Sequence, residues 1–278
     1  MANKNSNLGA AKTAKNDEFY TQYGDVEQGC QFYNDQLKGK TVLCNCDDYH
    51  TSNFVKYYLD NFSKIGLSRL IAINNHTNEC YSVNDETEMI FSVKDGSFDS
   101  SDANILMQTA DVVITNPPFS SFRRFFKHLI DNKKKFLIIA PLLAISYVEV
   151  FDLFLKGEVR IGKCKKTQMK FQQPNGELKG VPAIWLTNLD TPAVEPMELT
   201  ATYNPEIHKK YDDFNGFINV RKLKECPRDY KDWMGLPITF LVHYCPEQFE
   251  LSDKYLIQHD LHIDNKSVFL RVFARLRK

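Results

Sequence analysis

Two consecutive prolines closing a β-branched run constrain this chain more than any other feature. Asp111 leads into Val112, Val113, Ile114 and Thr115, whose branched side chains suit a short buried strand. Asn116-Pro117-Pro118-Phe119 follows. Neither proline can donate to a sheet ladder or sit deep inside a helix. The strand must therefore end in a rigid turn at its carboxyl end, where open α/β sheets place their ligands. Such a turn aims the Asn116 amide oxygen and the Pro117 carbonyl in fixed directions. Two acceptors beside an aromatic ring suit a planar base bearing an exocyclic amine, with Phe119 stacked on the ring. A proline-rich loop after an ordinary core strand is the plainer alternative.

Strand and helix signals alternate on both sides of this turn, which predicts an α/β fold with a doubly wound sheet. Helical spacing covers Val26–Leu37, and Lys40–Cys46 reads as a first buried strand. Ser52 is placed to cap a helix from Asn53 to about Lys64. Leu70–Ile73 is a second strand, 78–98 is irregular or hairpin-like, and Asp102–Thr109 is helical. After the turn come a helix over Phe122–Ile130, a strand over Lys135–Ala140, a helix over Ile145–Leu155 and a strand over Val181–Thr187. Residues 1–16 are polar and aperiodic and read as a disordered arm. Residues 17–190 form the α/β core, and the proline-punctuated residues 191–278 form a C-terminal extension packed on it, with a terminal strand around Ser267–Ala274.

A chain of 278 residues can bury a large core. No apolar run approaches the roughly 20 residues needed to span a bilayer, and the amino terminus has no signal-peptide apolar region, so a cytoplasmic protein without membrane contact is expected. The seven cysteines include no Cys-x-x-Cys pair, which indicates neither a disulfide framework nor a structural zinc site. A formal net charge of +0 argues against indiscriminate coating of nucleic acid. Basic residues nonetheless cluster at Arg123, Arg124 and Lys127 beside the turn, and at Lys163, Lys165, Lys166 and Lys170. Each cluster is a candidate phosphate contact, with a solvated face as the ordinary alternative. Residues 160–180 also carry Gln168, Gln172, Gln173 and Asn175, so they read either as a base-reading segment or as a mobile polar loop.

Asn-Pro-Pro-Phe resembles the catalytic motif of S-adenosylmethionine-dependent amino-methyltransferases. Lys15–Tyr23, Val42–Asp48 with Ser52–Phe54, and Asp111–Ser120 together resemble one family, the EcoRI-type adenine-specific DNA methyltransferases. Met234–Phe240 and Pro246–Glu250 match its C-terminal phrases, so the likeness runs from residue 15 to the end.

The resemblance implies a Rossmann-like methyltransferase fold and methyl transfer from S-adenosyl-L-methionine to the N6 amine of adenine in double-stranded DNA, with base flipping. Asn116, Pro117, Pro118 and Phe119 would be catalytic, with Asn116 also near the cofactor. Asp17, Phe19, Tyr20 and Thr21 would lie along the cofactor, the last two near its methionine moiety. Asn45, Cys46, Asp47 and Asp48 occupy the cofactor loop, which has no glycine here, and a helix cap is an equal alternative for either Asp. Asp95 stands near the place of an adenine contact. Arg123, Arg124, Lys165, Lys166 and Lys170 would meet DNA. No metal is expected, and a monomer that need not bind a cognate endonuclease directly. Methylation of RNA or of a protein glutamine by the same chemistry is the enzymatic alternative. An inactive DNA-binding relative is the non-enzymatic one.

Overall fold

The computed structural model describes residues 20–173, 176–252, 261–268 and 270–277. The arm at 1–16 and the site candidates Asp17 and Phe19 lie outside the described residues, as does Asn175. The chain forms two compact units, Met1–Ala144 with Glu158–Thr191, and Ile145–Gly157 with Pro192–Lys278.

The strands of the first unit are, in chain order, β1 (Tyr20–Thr21), β2 (Thr41–Cys44), β3 (Arg69–Asn74), β4 (Glu79–Val83), β5 (Glu88–Ser92), β6 (Val112–Thr115), β7 (Lys135–Pro141), β8 (Arg160–Ile161), β9 (Met169–Gln172), β10 (Leu178–Val181) and β11 (Ala183–Thr187). Eight of them build one sheet in the order β5-β4-β3-β2-β6-β7-β11-β8. The centre, β3-β2-β6-β7, is parallel, and its Val-, Ile- and Leu-rich strands are buried on both faces as parallel strands must be. The chain runs from β2 to β3 on one side and later returns to β6 on the other. The topological switch point therefore lies between β2 and β6, where doubly wound sheets bind ligands beyond the strand ends.

This is the Rossmann-like arrangement expected, with antiparallel additions on both flanks. The irregular 78–98 stretch is the β4–β5 hairpin, which extends the sheet beyond β3. β11 runs antiparallel beside β7 and carries β8. β1, β9 and β10 form a separate three-stranded sheet in the order β1-β9-β10.

Among the described residues this unit holds four helices of eight residues or more, α1 (Tyr23–Cys30), α2 (Asn53–Asp60), α3 (Ser101–Thr109) and α4 (Phe122–Asp131). One further helical turn lies at Phe62–Ile65, so the helix expected to reach about Lys64 breaks at Asn61. The tract expected over Val26–Leu37 begins earlier as α1 and tightens into a 3-10 helix over Gln31–Leu37. Ser52 caps α2, its Oγ accepting from the amides of Phe54 at 3.1 Å and Val55 at 3.5 Å. That cap satisfies two of the four donors a helix start leaves open. α4 buries Phe122, Phe125, Phe126 and Leu129 and exposes Arg123, Arg124 and Lys127, a 3.6-residue period. Trp185 of β11 is fully buried, and α1 can approach it because Gly29 has no side chain there.

The second unit holds a four-stranded sheet and a hairpin, β15 (Leu261–Ile263) with β16 (Lys266–Val268). The sheet's strands are β12 (Ile218–Asn219), β13 (Met234–Pro237), β14 (Phe249–Leu251) and β17 (Arg271–Leu276), in the order β12-β13-β17-β14. The terminal strand expected around Ser267–Ala274 is thus two strands. Tyr211, Phe217, Leu261 and Phe273 form a mostly aromatic buried cluster in this unit. The remaining helix, α5 (Val148–Leu155), belongs to this unit. No helix among the described residues is long and apolar enough to cross a membrane, and all seven cysteines are free thiols.

Candidate active site

A cleft of about 280 Å³ opens at the carboxyl ends of β2, β3 and β6, near the lower end of the ~300–1,000 Å³ usual for small-molecule sites. The loop after β2 lines it with Cys46, Asp47, Asp48 and Thr51–Phe54, the loop after β3 with Asn74–Thr77, and the turn after β6 with Asn116, Pro117 and Pro118. Tyr20 and Thr21 of β1 complete the wall.

Asp47 organises this end of the sheet. Its carboxylate is buried, accepting a hydrogen bond from Ser52 Oγ at 2.6 Å and from Thr115 Oγ1 at 2.5 Å. Its amide donates to the Ile73 carbonyl at the end of β3, 3.1 Å away. One residue thus ties together all three strand ends that make the cleft. Burial raises the Asp47 carboxyl from its ordinary 3.8 to about 6; the two hydroxyl hydrogen bonds pull it back down and the neighbouring Asp48 adds to the rise. Desolvation outweighs the hydrogen bonds because the carboxylate has no cationic partner among these groups.

Asp48 is half-exposed on the cleft wall, with Oδ1 accepting from the His50 amide at 2.9 Å. Asn74 uses its Oδ1 to close its own turn, accepting from the amides of His76 at 2.8 Å and Thr77 at 3.3 Å. That leaves its Nδ2 as the donating group. Asn53 Nδ2 donates to the Thr21 carbonyl at 2.8 Å, which fixes β1 against α2. The Thr21 hydroxyl is buried with no hydrogen-bond partner among the described residues. Such a group normally costs free energy unless something polar meets it.

The structure gathers most of the residues singled out in the sequence: Tyr20, Thr21, Cys46, Asp47, Asp48, Asn116, Pro117 and Pro118 all line the cleft. Three others stand apart. Asn45 is fully buried behind the loop. Phe119 begins the 3-10 turn after the prolines and packs edge-on against Phe171, with ring centres 6.0 Å apart. Asp95 is exposed, its Oδ1 accepting from the Ser97 amide at 2.8 Å. Its neighbour Gly96 packs so tightly on Asn74 that a Cβ there would lie 2.5 Å from the Asn74 carbonyl oxygen.

The basic candidates divide as well. Arg124 pairs with Asp99 at 3.3 Å and stacks over Phe98 at 4.9 Å, and Lys166 pairs with Asp25 at 2.6 Å. Arg123, Lys165 and Lys170 are exposed. Sequence reasoning missed Thr115 and the second role of Ser52. The signal was available in Thr115, the hydroxyl residue of the otherwise apolar run Val112–Thr115. The lining by His76 and Thr77 has no comparable signature.

The family model for adenine-specific methyltransferase EcoRI matches residues 7–91 and 74–269. The chain is 37% identical to type II methyltransferase M.EcoRI of Escherichia coli, over 99% of this chain and 97% of that one. It is 36% identical to type II methyltransferase M.MpnI of Mycoplasma pneumoniae, over 87% and 84%. Among solved structures, a putative RNA methyltransferase from Pyrococcus horikoshii aligns at a TM-score of 0.34 and 12% identity, over 62% of this chain and 86% of that one.

Proposed function

The chain belongs to the EcoRI-type adenine-specific methyltransferase family, and from that membership we propose that it methylates the N6 amine of adenine at a specific site in double-stranded DNA, using S-adenosylmethionine. The observation that carries this reading is the placement of the Asn116-Pro117-Pro118 turn on the same cleft as the loops after β2 and β3. A base amine held at the turn then faces whatever those loops hold.

The donor set fits the methyl donor. Asp48 suits an ammonium group, the unpartnered Thr21 hydroxyl a carboxylate or hydroxyl, and the Asn74 amide a ribose oxygen. When bound, S-adenosylmethionine supplies an electrophilic methyl group on a sulfonium sulfur. The chain's contribution is orientation. Asn116 Oδ1 and the Pro117 carbonyl accept the two N6 hydrogens, which favours tetrahedral character at nitrogen and frees the lone pair normally delocalised into the ring. Proline keeps the acceptor carbonyl rigid because neither ring can rotate about its N–Cα bond. Rate enhancement then comes from positioning and fixed dipoles, with the N6 proton passing to solvent.

A base within a duplex cannot reach the turn, so adenine is flipped out at a cost of a few kcal/mol, offset by stacking and Watson–Crick-edge hydrogen bonds. Phe119, the expected stacking ring, packs on Phe171 outside the cleft, so it meets the flipped base only by turning away from that contact. Arg123, Lys165 and Lys170 meet phosphates. Arg124 does so by exchanging its largely exposed ion pair with Asp99, worth only about 0–1 kcal/mol, and Lys166 by leaving Asp25, whose side chain is 11% exposed. The second unit contributes to DNA recognition, and the enzyme acts as a monomer that need not bind a cognate endonuclease directly.

The test is incubation with tritiated S-adenosylmethionine and unmethylated genomic DNA, then digestion to nucleosides and chromatography. Label in N6-methyldeoxyadenosine is the expected result. Label only in RNA or protein acceptors offered in parallel overturns the DNA reading.

A further inference from the structure

We propose that the outward face of the β9–β10 ribbon reads the DNA target in the major groove, with Gln172 as the base-reading side chain; this rests on the DNA reading above. The ribbon's register separates two faces. Met169 pairs with Val181 and Phe171 with Lys179, while Lys170 pairs with Gly180 and Gln172 with Leu178. Met169 and Phe171 are buried against the core. Lys170, Gln172, Leu178 and Gly180 are all exposed.

The exposed face has the chemistry of groove recognition. A two-stranded ribbon fits the ~12 Å width of the major groove. Gln can grip adenine through N6 and N7, and an apolar side chain can cover a thymine methyl. Leu178, 57% exposed and directly across from Gln172, is placed for that second contact. Gly180, paired with Lys170, makes room for the Gln168 amide, whose Nε2 lies 3.2 Å from where a Cβ would be. Residues 165–181 carry four lysines and one glutamate in a chain of net charge +0, a local excess that complements phosphate.

Position gives the face its partner. β1 pairs with β9, Tyr20 opposite Gln172 and Thr21 opposite Phe171. Tyr20 and Thr21 line the cleft, and Phe171 touches Phe119. The ribbon therefore runs one strand spacing, about 4.8 Å, from the Tyr20–Thr21 wall of the cleft, and Phe171 on its buried face meets the residue that follows the Asn116-Pro117-Pro118 turn. The groove positions it reaches are the pairs flanking the target base.

The experiment starts from the intact protein. Long-read mapping of genomic DNA modified by the wild type defines the cognate site. Competition binding then compares the cognate duplex with duplexes changed at one base pair, for wild type, Gln172→Ala and Lys170→Ala, alongside S-adenosylhomocysteine affinity. Gln172→Ala is expected to lose roughly 5- to 150-fold discrimination at one base position only, with cofactor affinity unchanged. Lys170→Ala is expected to weaken all duplexes alike and lower the salt dependence by about one phosphate contact. A Gln172→Ala protein that discriminates at every position as the wild type does overturns the ribbon assignment alone. A wild type that leaves DNA unmodified overturns the methylation reading beneath it.

Discussion

Thr115 Oγ1 donates to Asp47 Oδ2 across 2.5 Å, joining the last residue of β6 to the loop after β2 on the two sides of the topological switch point. Thr115 immediately precedes Asn116, so the backbone that aims the Asn116 amide is tied to the loop that lines the rest of the cleft. The other oxygen of the same carboxylate takes the Ser52 hydroxyl, which also caps α2. Cap, loop and turn form one hydrogen-bonded unit.

Removing the hydroxyl should loosen the turn. Thr115→Val leaves a buried carboxylate oxygen without its donor, at a cost of about 1–3 kcal/mol. Urea unfolding is expected to show that loss. Turnover should fall further than S-adenosylhomocysteine affinity, and Thr115→Ser should restore both. Equal losses in turnover and affinity would assign Thr115 to stability alone.

Asp47 should leave a mark on the pH dependence of stability. Its carboxyl titrates near 3.8 unfolded and is raised to about 6 by burial in the fold. The folded state therefore holds the proton more tightly. Its contribution to stability is full below about pH 4 and is lost as pH rises through 6. The loss is on the order of 3 kcal/mol. Relative to Asp47→Asn, wild-type stability should decline between pH 4 and 6.5 and stay level above that. A difference that is flat across this window would show the carboxyl to be unperturbed.

Asn116→Ala separates chemistry from binding. Losing one oriented acceptor should lower kcat about 10²–10³-fold, the range seen for a preorganised hydrogen-bonding group. Cofactor affinity, measured by calorimetry, should hold. A matching loss of affinity would mark Asn116 as structural.

Gly29→Ala tests the packing beneath the site. A Cβ at this position would lie 2.1 Å from Trp185 Cε2 and 2.2 Å from Cζ2, in the core behind β11. Neither helix nor sheet can yield without strain, so overpacking should cost about 1–3 kcal/mol. That is roughly 2–4 °C in Tm per kcal/mol. An unchanged melting temperature would show that α1 shifts freely.

Much of the site was legible where chemistry is local. Ser52 declared the start of α2 because a hydroxyl before an amphipathic run has open amides to meet. The β-branched run Val112–Thr115 and the two prolines declared a strand and its rigid end. The mostly apolar strands read at Leu70–Ile73 and Lys135–Ala140 declared a parallel centre covered on both faces. Phe119 and Asp95 were singled out by type and spacing, yet neither lines the cleft. Their side chains point by the path of a turn, which residue identity does not encode. Residues 160–180 stood open between a loop and a reading segment because short polar strands have little periodic signal.

The amino-acid sequence by itself determined that a doubly wound sheet would form and that it would present Asn116 and two prolines at a strand end. Hydrogen-bonding capacity, branching and apolar period are properties of neighbouring residues and need no partner to be read. Only the tertiary structure decided that Thr115 meets Asp47, that Tyr20 and Thr21 pair with β9 to close the cleft, and that Gly29 makes room for Trp185. Those contacts join residues far apart along the chain. Their register is set by packing and strand order, and no local pattern in the sequence carries either.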